Sequence, residues 1–192
     1  MKNRKWIFCG AGAAVLAAIA VAGRRKPRKR KTDPIDGGVV THSTGDDQPK
    51  VIKSTQIDRF CYKVSLLSEP DPGELRNRVY TFQAERKNEK AACKFAWYGC
   101  DSGEFVFETD TQFFDALQEI VVKYDLAQYN GRCHCVSGLP DLYGEILSVE
   151  YESGESIYAK NNQSVFMPMA VASDLRSLFG EASGACASDC AN

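Results

Sequence analysis

Apolar and polar residues alternate along two segments in the first half of the folded part of the chain, Phe60–Leu66 and Val79–Glu85. Ala91–Tyr98 and Glu104–Glu108 are two further strand candidates, separated by a short turn that contains Gly99 and Gly103. A period of two is typical of a β-strand that buries one of its faces. Because the loops between the segments are short, we expect the strands to pair as antiparallel hairpins.

Two other segments place an apolar residue at every third or fourth position, which is the spacing of an amphipathic helix. The first runs from Phe113 to Tyr124, and Thr109, Asp110 or Thr111 can cap its start. In the second, Pro168 suits the first helical position and Gly180 suits the end. The apolar stripe of this second helix comprises Val171, Ala172, Leu175, Leu178 and Phe179.

A strand pair between the two helices is the best-defined local element. Glu145–Tyr151 and Glu155–Ala159 flank a turn that contains Gly154. A two-residue loop would place two glutamates opposite each other, whereas a three-residue loop pairs apolar with apolar residues. The three-residue loop also gives Gly154 the left-handed position of a type I turn followed by a bulge. We therefore predict the register in which Val149 lies opposite Ile157.

The predicted order of elements is four strands, a helix, two or three strands and a second helix. Arg132–Val136, after the first helix, is a short strand candidate. Consecutive strands with short connections favour an α+β fold, with an antiparallel sheet of about six strands and two helices packed on one face. We expect this globular domain to span residues 56–180 and a flexible tail of small residues to occupy residues 181–192.

The run from Leu147 to Asn161 reads LSVEYESGESIYAKN and is followed by Met167-Pro168 and a helix. This pattern resembles a motif in small, uncharacterised bacterial proteins, many of which look membrane-anchored, lipid-anchored or exported. The resemblance covers about residues 105–180. It implies a bacterial source and the order of elements given above, and it implies no activity and no catalytic residue.

Near the N-terminus, Trp6–Gly23 is a run of eighteen residues without a charge. At about 1.5 Å per residue a helix of this length spans about 27 Å, close to the thickness of a hydrocarbon core. We expect a retained transmembrane helix, so that residues 1–31 form a single-pass anchor with basic flanks. A cleaved signal peptide is the alternative, since Ala20-Val21-Ala22 fits a cleavage site. In that case the seven cations that follow would have to cross the membrane.

The cations around this run predict an orientation. Arg24–Lys31 contains seven Lys and Arg residues, against three before the run. The positive-inside rule then favours a cytoplasmic domain, with Arg24–Lys31 lying against anionic headgroups. The external orientation stays open, because Lys2, Arg4 and Lys5 also form the basic start of an ordinary signal anchor. Residues 32–55 are rich in Gly, Asp, Ser and Thr, and we predict a flexible linker in which His42 is inert.

Charge is divided sharply along the chain. Residues 1–31 carry ten Lys and Arg and no acid, whereas residues 32–192 carry fourteen against twenty-five Asp and Glu, a net charge of -11. An acidic folded part argues against a nucleic-acid-binding domain, which usually presents a basic face.

Among the eight cysteines, Cys133-His134-Cys135 is the only dense cluster of metal-type ligands. On a strand the two sulfurs share a face and His134 points the opposite way, so the three residues can bind one ion together only if the segment is a loop. Cys186 and Cys190 would complete a four-sulfur zinc site, although their spacing differs from the usual C-x2-C. Without Cys9, seven cysteines remain. This odd number favours free thiols in a reducing compartment over a framework of disulfides.

The sequence contains no C-x-x-C, no nucleophile elbow and no phosphate-binding loop. We therefore predict a membrane-tethered, non-catalytic accessory or interaction module that needs no cofactor and whose ligand the sequence does not identify. The alternative is a thiol- or metal-dependent protein that uses the Cys133, His134 and Cys135 cluster.

Overall fold

The structure is a computed structural model that describes residues 41–44, 48–67, 75, 78–99, 102–137 and 143–184. Its helices are α1 (Gln112–Lys123), α2 (Met169–Ala182) and a short 3-10 helix (Leu126–Tyr129). Its strands are β1 (Thr41–Thr44), β2 (Ile57–Ser65), β3 (Val79–Lys87), β4 (Lys90–Tyr98), β5 (Gly103–Asp110), β6 (Cys133–Val136), β7 (Glu145–Tyr151) and β8 (Ser156–Asn161).

The predicted anchor in residues 1–31 lies outside the described residues. No helix that the structure describes has both the length and the apolar composition needed to span a bilayer.

The eight strands that the structure describes belong to one sheet, in the order β1-β6-β8-β7-β2-β3-β4-β5. Every neighbouring pair is antiparallel except β6 and β8, which run parallel. The α+β class and the antiparallel pairing of the four predicted strands are therefore confirmed. The sheet has more than the six strands expected, because the short β1 adds to the seven strands between Ile57 and Asn161.

Aromatic rings join the helices to one face of the sheet. Phe82 on β3 is fully buried and stacks on Phe95 of β4, with ring centroids 5.0 Å apart. Phe179 of α2 lies 5.4 Å from Phe82 and 4.9 Å from Phe113 of α1. Burying a side chain of this size contributes about 1.5–3 kcal/mol, so this cluster is a major source of the domain's stability.

The opposite face of the sheet carries charged residues that pair across strands. Lys94 contacts Glu104 at 2.6 Å, and Lys90 contacts Glu108 at 3.2 Å. Both carboxylates lie on β5, the last strand of the sheet. Charged side chains on an edge strand oppose pairing with another chain, so this face has the character of a solvated surface.

The β7–β8 hairpin confirms the three-residue loop. Val149 pairs with Ile157, and Leu147 pairs with Ala159. Gly154 has φ +83°, the left-handed conformation that the predicted turn requires.

The ends of α2 differ from the prediction. The helix starts at Met169, directly after Pro168, and it continues through Gly180 to Ala182. It extends because Ala182 still packs against the core, and the backbone turns left-handed only at Gly184, with φ +68°.

At the start of α1, the carboxylate of Asp110 accepts a hydrogen bond from the Gln112 amide at 2.8 Å.

The segment before β2 is fixed to the domain. The Asn130 side chain donates to the Pro49 carbonyl at 2.9 Å, and the Lys50 ammonium donates to the Asn130 carbonyl at 2.5 Å. The carboxylate of Glu155 accepts the Ser54 amide at 2.8 Å. In the part of residues 32–55 that the structure describes, the region predicted to be a flexible linker includes the strand β1, and its last residues are hydrogen-bonded to the domain.

Candidate functional site

The cysteine cluster lies on β6, near the margin of the sheet. The sulfur atoms of Cys133 and Cys135 are 3.8 Å apart, and both side chains are half-buried. His134 is exposed and lies on the other face of the strand. The structure thus brings the two sulfurs together and separates His134 from them.

Hydrogen bonds on the β8 side hold the backbone of β6 in place. Cys133 pairs with Lys160 and His134 pairs with Asn161. Beyond these two pairs, the Asn162 side chain continues the ladder: it accepts the Val136 amide at 2.8 Å and donates to the Val136 carbonyl at 2.9 Å. An asparagine amide can replace a strand here because it presents the same donor and acceptor as a peptide group.

On its other side β6 pairs with β1, which runs antiparallel to it. In this register His42 lies opposite Cys135, Ser43 opposite His134 and Thr44 opposite Cys133. The histidine that the sequence places in a linker is therefore a strand residue beside the cysteine pair.

Cys186 and Cys190 lie outside the described residues. Within the described part of the chain, no three His, Cys, Asp or Glu side chains are grouped closely enough to hold a metal ion. Two sulfurs are therefore the part of the predicted metal set that the structure brings together.

Among the acidic residues that the structure describes, the most deeply buried is Glu145 at the start of β7, which is 0 % exposed. One carboxylate oxygen accepts a hydrogen bond from the Tyr62 hydroxyl. The other accepts the backbone amides of Phe166 and Met167, at 2.6 and 2.9 Å. Glu145 thus ties the loop before α2 to the sheet.

Burial raises the pKa of Glu145 above its ordinary value, because an ionised carboxylate loses its hydration there. The hydrogen bonds from Tyr62, Phe166 and Met167 and the positive charge of Arg132 act in the opposite direction. Burial also raises the pKa of Tyr62, to which the negative charge of Glu145 adds.

A signal for Glu145 was present in the sequence, although Glu145 was not among the predicted site residues. In a strand, residues two apart share a face, so Glu145 shares a face with Leu147 and Val149. An acid on the apolar face of a strand has to be buried with partners. The partners themselves were not predictable, since Phe166 and Met167 come from a loop without periodicity.

The other acidic residues around the β7–β8 hairpin lie at the surface of the domain. Glu155 accepts the backbone amides of Lys53 and Ser54, and these hydrogen bonds lower its pKa. Glu150 contacts Arg59 at 3.9 Å on the open face of the sheet. Glu152 is exposed, and Glu150 and Glu155 are partly exposed, so none of the three is a buried acid.

The aromatic residues near the β4–β5 turn form part of the core. Trp97 is buried, and its ring lies 5.3 Å from Phe95 and 5.5 Å from Phe105. Tyr98 is 49 % exposed and points away from this cluster. Trp97 therefore belongs to the core, and Phe105 and Phe107 pack against it, whereas Tyr98 lies at the surface.

An open groove runs beside the solvent side of α1. It is lined by Thr55, Asp115, Gln118, Glu119, Val122 and Lys123. Its lining contains no cysteine or histidine and no buried charge, so it offers surface but no reactive group.

Comparison of the chain with protein-family models, with curated proteins and with solved structures found no match.

Proposed function

We propose that this protein is a membrane-tethered module whose α+β domain acts by binding a partner rather than by catalysis. The observation that carries the proposal is the uncharged run Trp6–Gly23 between two groups of cations, joined to an acidic domain. A single hydrophobic span holds a protein in a bilayer far more firmly than a lipid chain does.

The use of the domain's ionisable groups supports a binding role. A catalytic acid needs a free oxygen that reaches its substrate. Burial raises the pKa of Glu145, as it does for many catalytic acids, but both of its oxygens already accept hydrogen bonds from three donors of the domain itself. The hydrogen-bonding capacity of this carboxylate is therefore used to hold the loop before α2.

For the side of the membrane, we propose that the domain is cytoplasmic. Seven cations follow the run and three precede it. The thiols also fit a reducing compartment. Cys93 is buried under the helices, whereas Cys61 is on the opposite face of the sheet, so these two cannot form a disulfide with each other.

Alkaline extraction of membranes tests the tether. The full chain should stay in the membrane pellet, and Leu16→Arg should release it, because an arginine at the centre of a span costs about 2.5–3.5 kcal/mol. Val40→Arg, which adds the same charge outside the run, is the matched control and should stay in the pellet. Release of the unmodified chain as a fragment that starts near Gly23 would contradict the anchor and favour the signal peptide.

Labelling of intact cells with a membrane-impermeant thiol reagent tests the side. We expect no labelling of Cys186 and Cys190 until the cells are permeabilised. Labelling before permeabilisation would place the domain outside.

Co-purification from solubilised membranes tests the binding role. The tethered chain should retain a stoichiometric partner that the Leu16→Arg variant recovers less well, since tethering raises the effective concentration of a partner in the same membrane. Recovery of the chain without any stoichiometric partner would argue against an interaction module.

A thiol- or metal-dependent function is the second candidate. The observation that favours it is the 3.8 Å distance between the sulfurs of Cys133 and Cys135.

A further inference from the structure

Two thiols lie side by side on one face of β6. The sulfurs of Cys133 and Cys135 are 3.8 Å apart, and both residues are partly exposed. In a disulfide the two sulfurs are about 2.05 Å apart, so they need to approach each other by less than the length of one more bond. The two thiols are therefore placed to react with each other.

The other two described cysteines cannot compete for either sulfur. Cys61 lies on β2, and β8 and β7 separate that strand from β6. At about 4.7–4.9 Å between neighbouring strands the separation is about 14 Å, whereas a disulfide joins Cα atoms less than about 7 Å apart. Cys93 lies further along the sheet on β4, and burial raises its pKa to about 12, which keeps it in the unreactive thiol form.

We propose that Cys133 and Cys135 form a redox-active dithiol, which low-molecular-weight disulfides of the glutathione type oxidise. One thiolate attacks a sulfur of the small disulfide, breaks its S–S bond, forms a mixed disulfide and releases one small thiol. The other cysteine then attacks the protein sulfur of the mixed disulfide and releases the second small thiol. Two electrons pass from the protein to the small disulfide, and the two cysteine protons end on the two small thiols released.

The geometry of the strand makes this disulfide reversible. Two residues of a strand rise about 6.4–6.8 Å, which is the upper end of the Cα separations found in disulfides. Bond formation therefore has to shorten β6 at His134, whose backbone pairs with Asn161 of β8 and with Ser43 of β1. Strained disulfides are the ones that thiols reduce readily, so the bond should open again when small thiols are in excess.

The shortening should affect β1 more than β8. β1 is a strand of four residues at the edge of the sheet, and β6 is its only neighbour among the described strands. β8 also pairs with β7, and the Asn162 side chain that follows it is hydrogen-bonded to Val136 of β6. Oxidation should therefore loosen β1, which is the described segment closest in sequence to the predicted anchor. The inference rests on the thiol-dependent form of the second candidate function and is independent of the tether.

The test uses the full chain, purified in reduced form in mild detergent and equilibrated with mixtures of oxidised and reduced glutathione. After an acid quench the remaining thiols are alkylated, and the tryptic peptides are measured by mass spectrometry. Cleavage after Arg132 and Lys160 gives the peptide 133–160, which contains Cys133 and Cys135 and no other cysteine. We expect this peptide to escape alkylation and to be two hydrogen atoms lighter than its reduced form, and excess reduced glutathione to reverse the change.

Replacing one cysteine separates the two chemical steps. Cys135→Ser should stop at the mixed disulfide on Cys133, and Cys133→Ser at the mixed disulfide on Cys135. The unmodified chain should hold less than about a tenth as much of this adduct, because its second step is intramolecular. Cys61→Ser removes a partly exposed thiol from a different strand, and this matched control should form the disulfide as the unmodified chain does. Far-ultraviolet circular dichroism of each reduced variant checks that the fold is retained.

Hydrogen exchange of the backbone amides measures the effect on β1. Residues 41–44 should exchange faster in the oxidised chain than in the reduced chain. In Cys135→Ser, exposed to the same glutathione mixture, their exchange should stay at the reduced rate. Equal exchange in the oxidised and reduced chains would overturn the coupling to β1 and leave the dithiol in place.

The outcomes separate this inference from the second candidate function. If Cys133 or Cys135 of the unmodified chain takes up glutathione but the peptide forms no internal disulfide, the inference is wrong and a thiol-dependent function remains. A disulfide that joins this peptide to the one containing Cys186 and Cys190 would also refute the inference. If both cysteines stay reduced at every ratio of oxidised to reduced glutathione, the inference fails together with the thiol-dependent form of the second candidate.

Discussion

The buried carboxylate of Glu145 allows a sharp test of how the loop before α2 is held. Replacing it by leucine keeps a side chain of similar size and removes both oxygens. Three donors then lose their acceptor, namely the Tyr62 hydroxyl and the amides of Phe166 and Met167. Glutamine instead keeps one acceptor oxygen and adds a donor.

The magnitudes follow from counting these groups. Each buried donor without a partner costs about 1–3 kcal/mol, so Glu145→Leu should lower the free energy of unfolding by about 3 kcal/mol or more. In Glu145→Gln the amide oxygen can accept both backbone amides, and the NH2 group can donate to the Tyr62 hydroxyl. All three pairs survive, and we expect a loss of about 1 kcal/mol or less.

The pH dependence of the unmodified chain has a definite sign. Burial raises the pKa of Glu145 in the folded state above the ordinary value near 4.5. The folded chain then holds this proton more tightly than the unfolded chain does. Its contribution to stability is therefore fully present below about pH 4.5 and is lost as the pH rises through the raised pKa. Glu145→Gln has no proton to lose, so its stability should lack this decline.

Urea unfolding of the full chain in mild detergent, followed by circular dichroism between pH 4 and pH 8, measures both effects. The advantage of the unmodified chain over Glu145→Gln should shrink as the pH rises above the ordinary carboxyl pKa. Tyr62→Phe is the control for loss of a single partner. Equal stability of the leucine and glutamine variants, or parallel pH profiles of the glutamine variant and the unmodified chain, would refute the reasoning.

Two glycines give further predictions, both measured by the same unfolding assay. A Cβ at Gly154 would meet no atom within 4 Å, so Gly154→Val should lower the free energy of unfolding only by the backbone strain of about 1–3 kcal/mol. The neighbouring Ser153→Ala should cost about 0.5 kcal/mol or less. A valine variant as stable as the unmodified chain would contradict the left-handed turn. Gly144 shares the positive φ, but a Cβ there would lie 2.0 Å from the Asn161 carbonyl oxygen, so Gly144→Ala should cost clearly more than Gly154→Ala. Equal losses would show that the backbone at Asn161 moves aside easily.

Much of the fold follows from periodicity because each strand buries one face only. Phe60, Tyr62 and Val64 recur at every second position, and all three are buried under the helices. The hairpin register followed from the same rule, since only one loop length matches Val149 with Ile157. These elements were predictable because local pattern and tertiary burial agree.

Elements without a pattern of their own could not be predicted. The four residues of β1, Thr-His-Ser-Thr, contain no apolar residue, and they form a strand because β6 offers its edge. The end of α2 was misjudged at Gly180 for a related reason. A glycine can sit within a helix when the residues after it still pack, as Ala182 does.

The same distinction explains what was missed at the candidate site. Strand alternation correctly separates His134 from the sulfurs of Cys133 and Cys135, because it depends on neighbours in the sequence. The opposition of His42 and Cys135 joins residues more than ninety positions apart and depends on which strand pairs with β6. Loop composition alone had assigned His42 to a linker. Which residues lie opposite each other on two paired strands is therefore visible only once the register is known, whereas the chemical character of each residue can be read from the sequence.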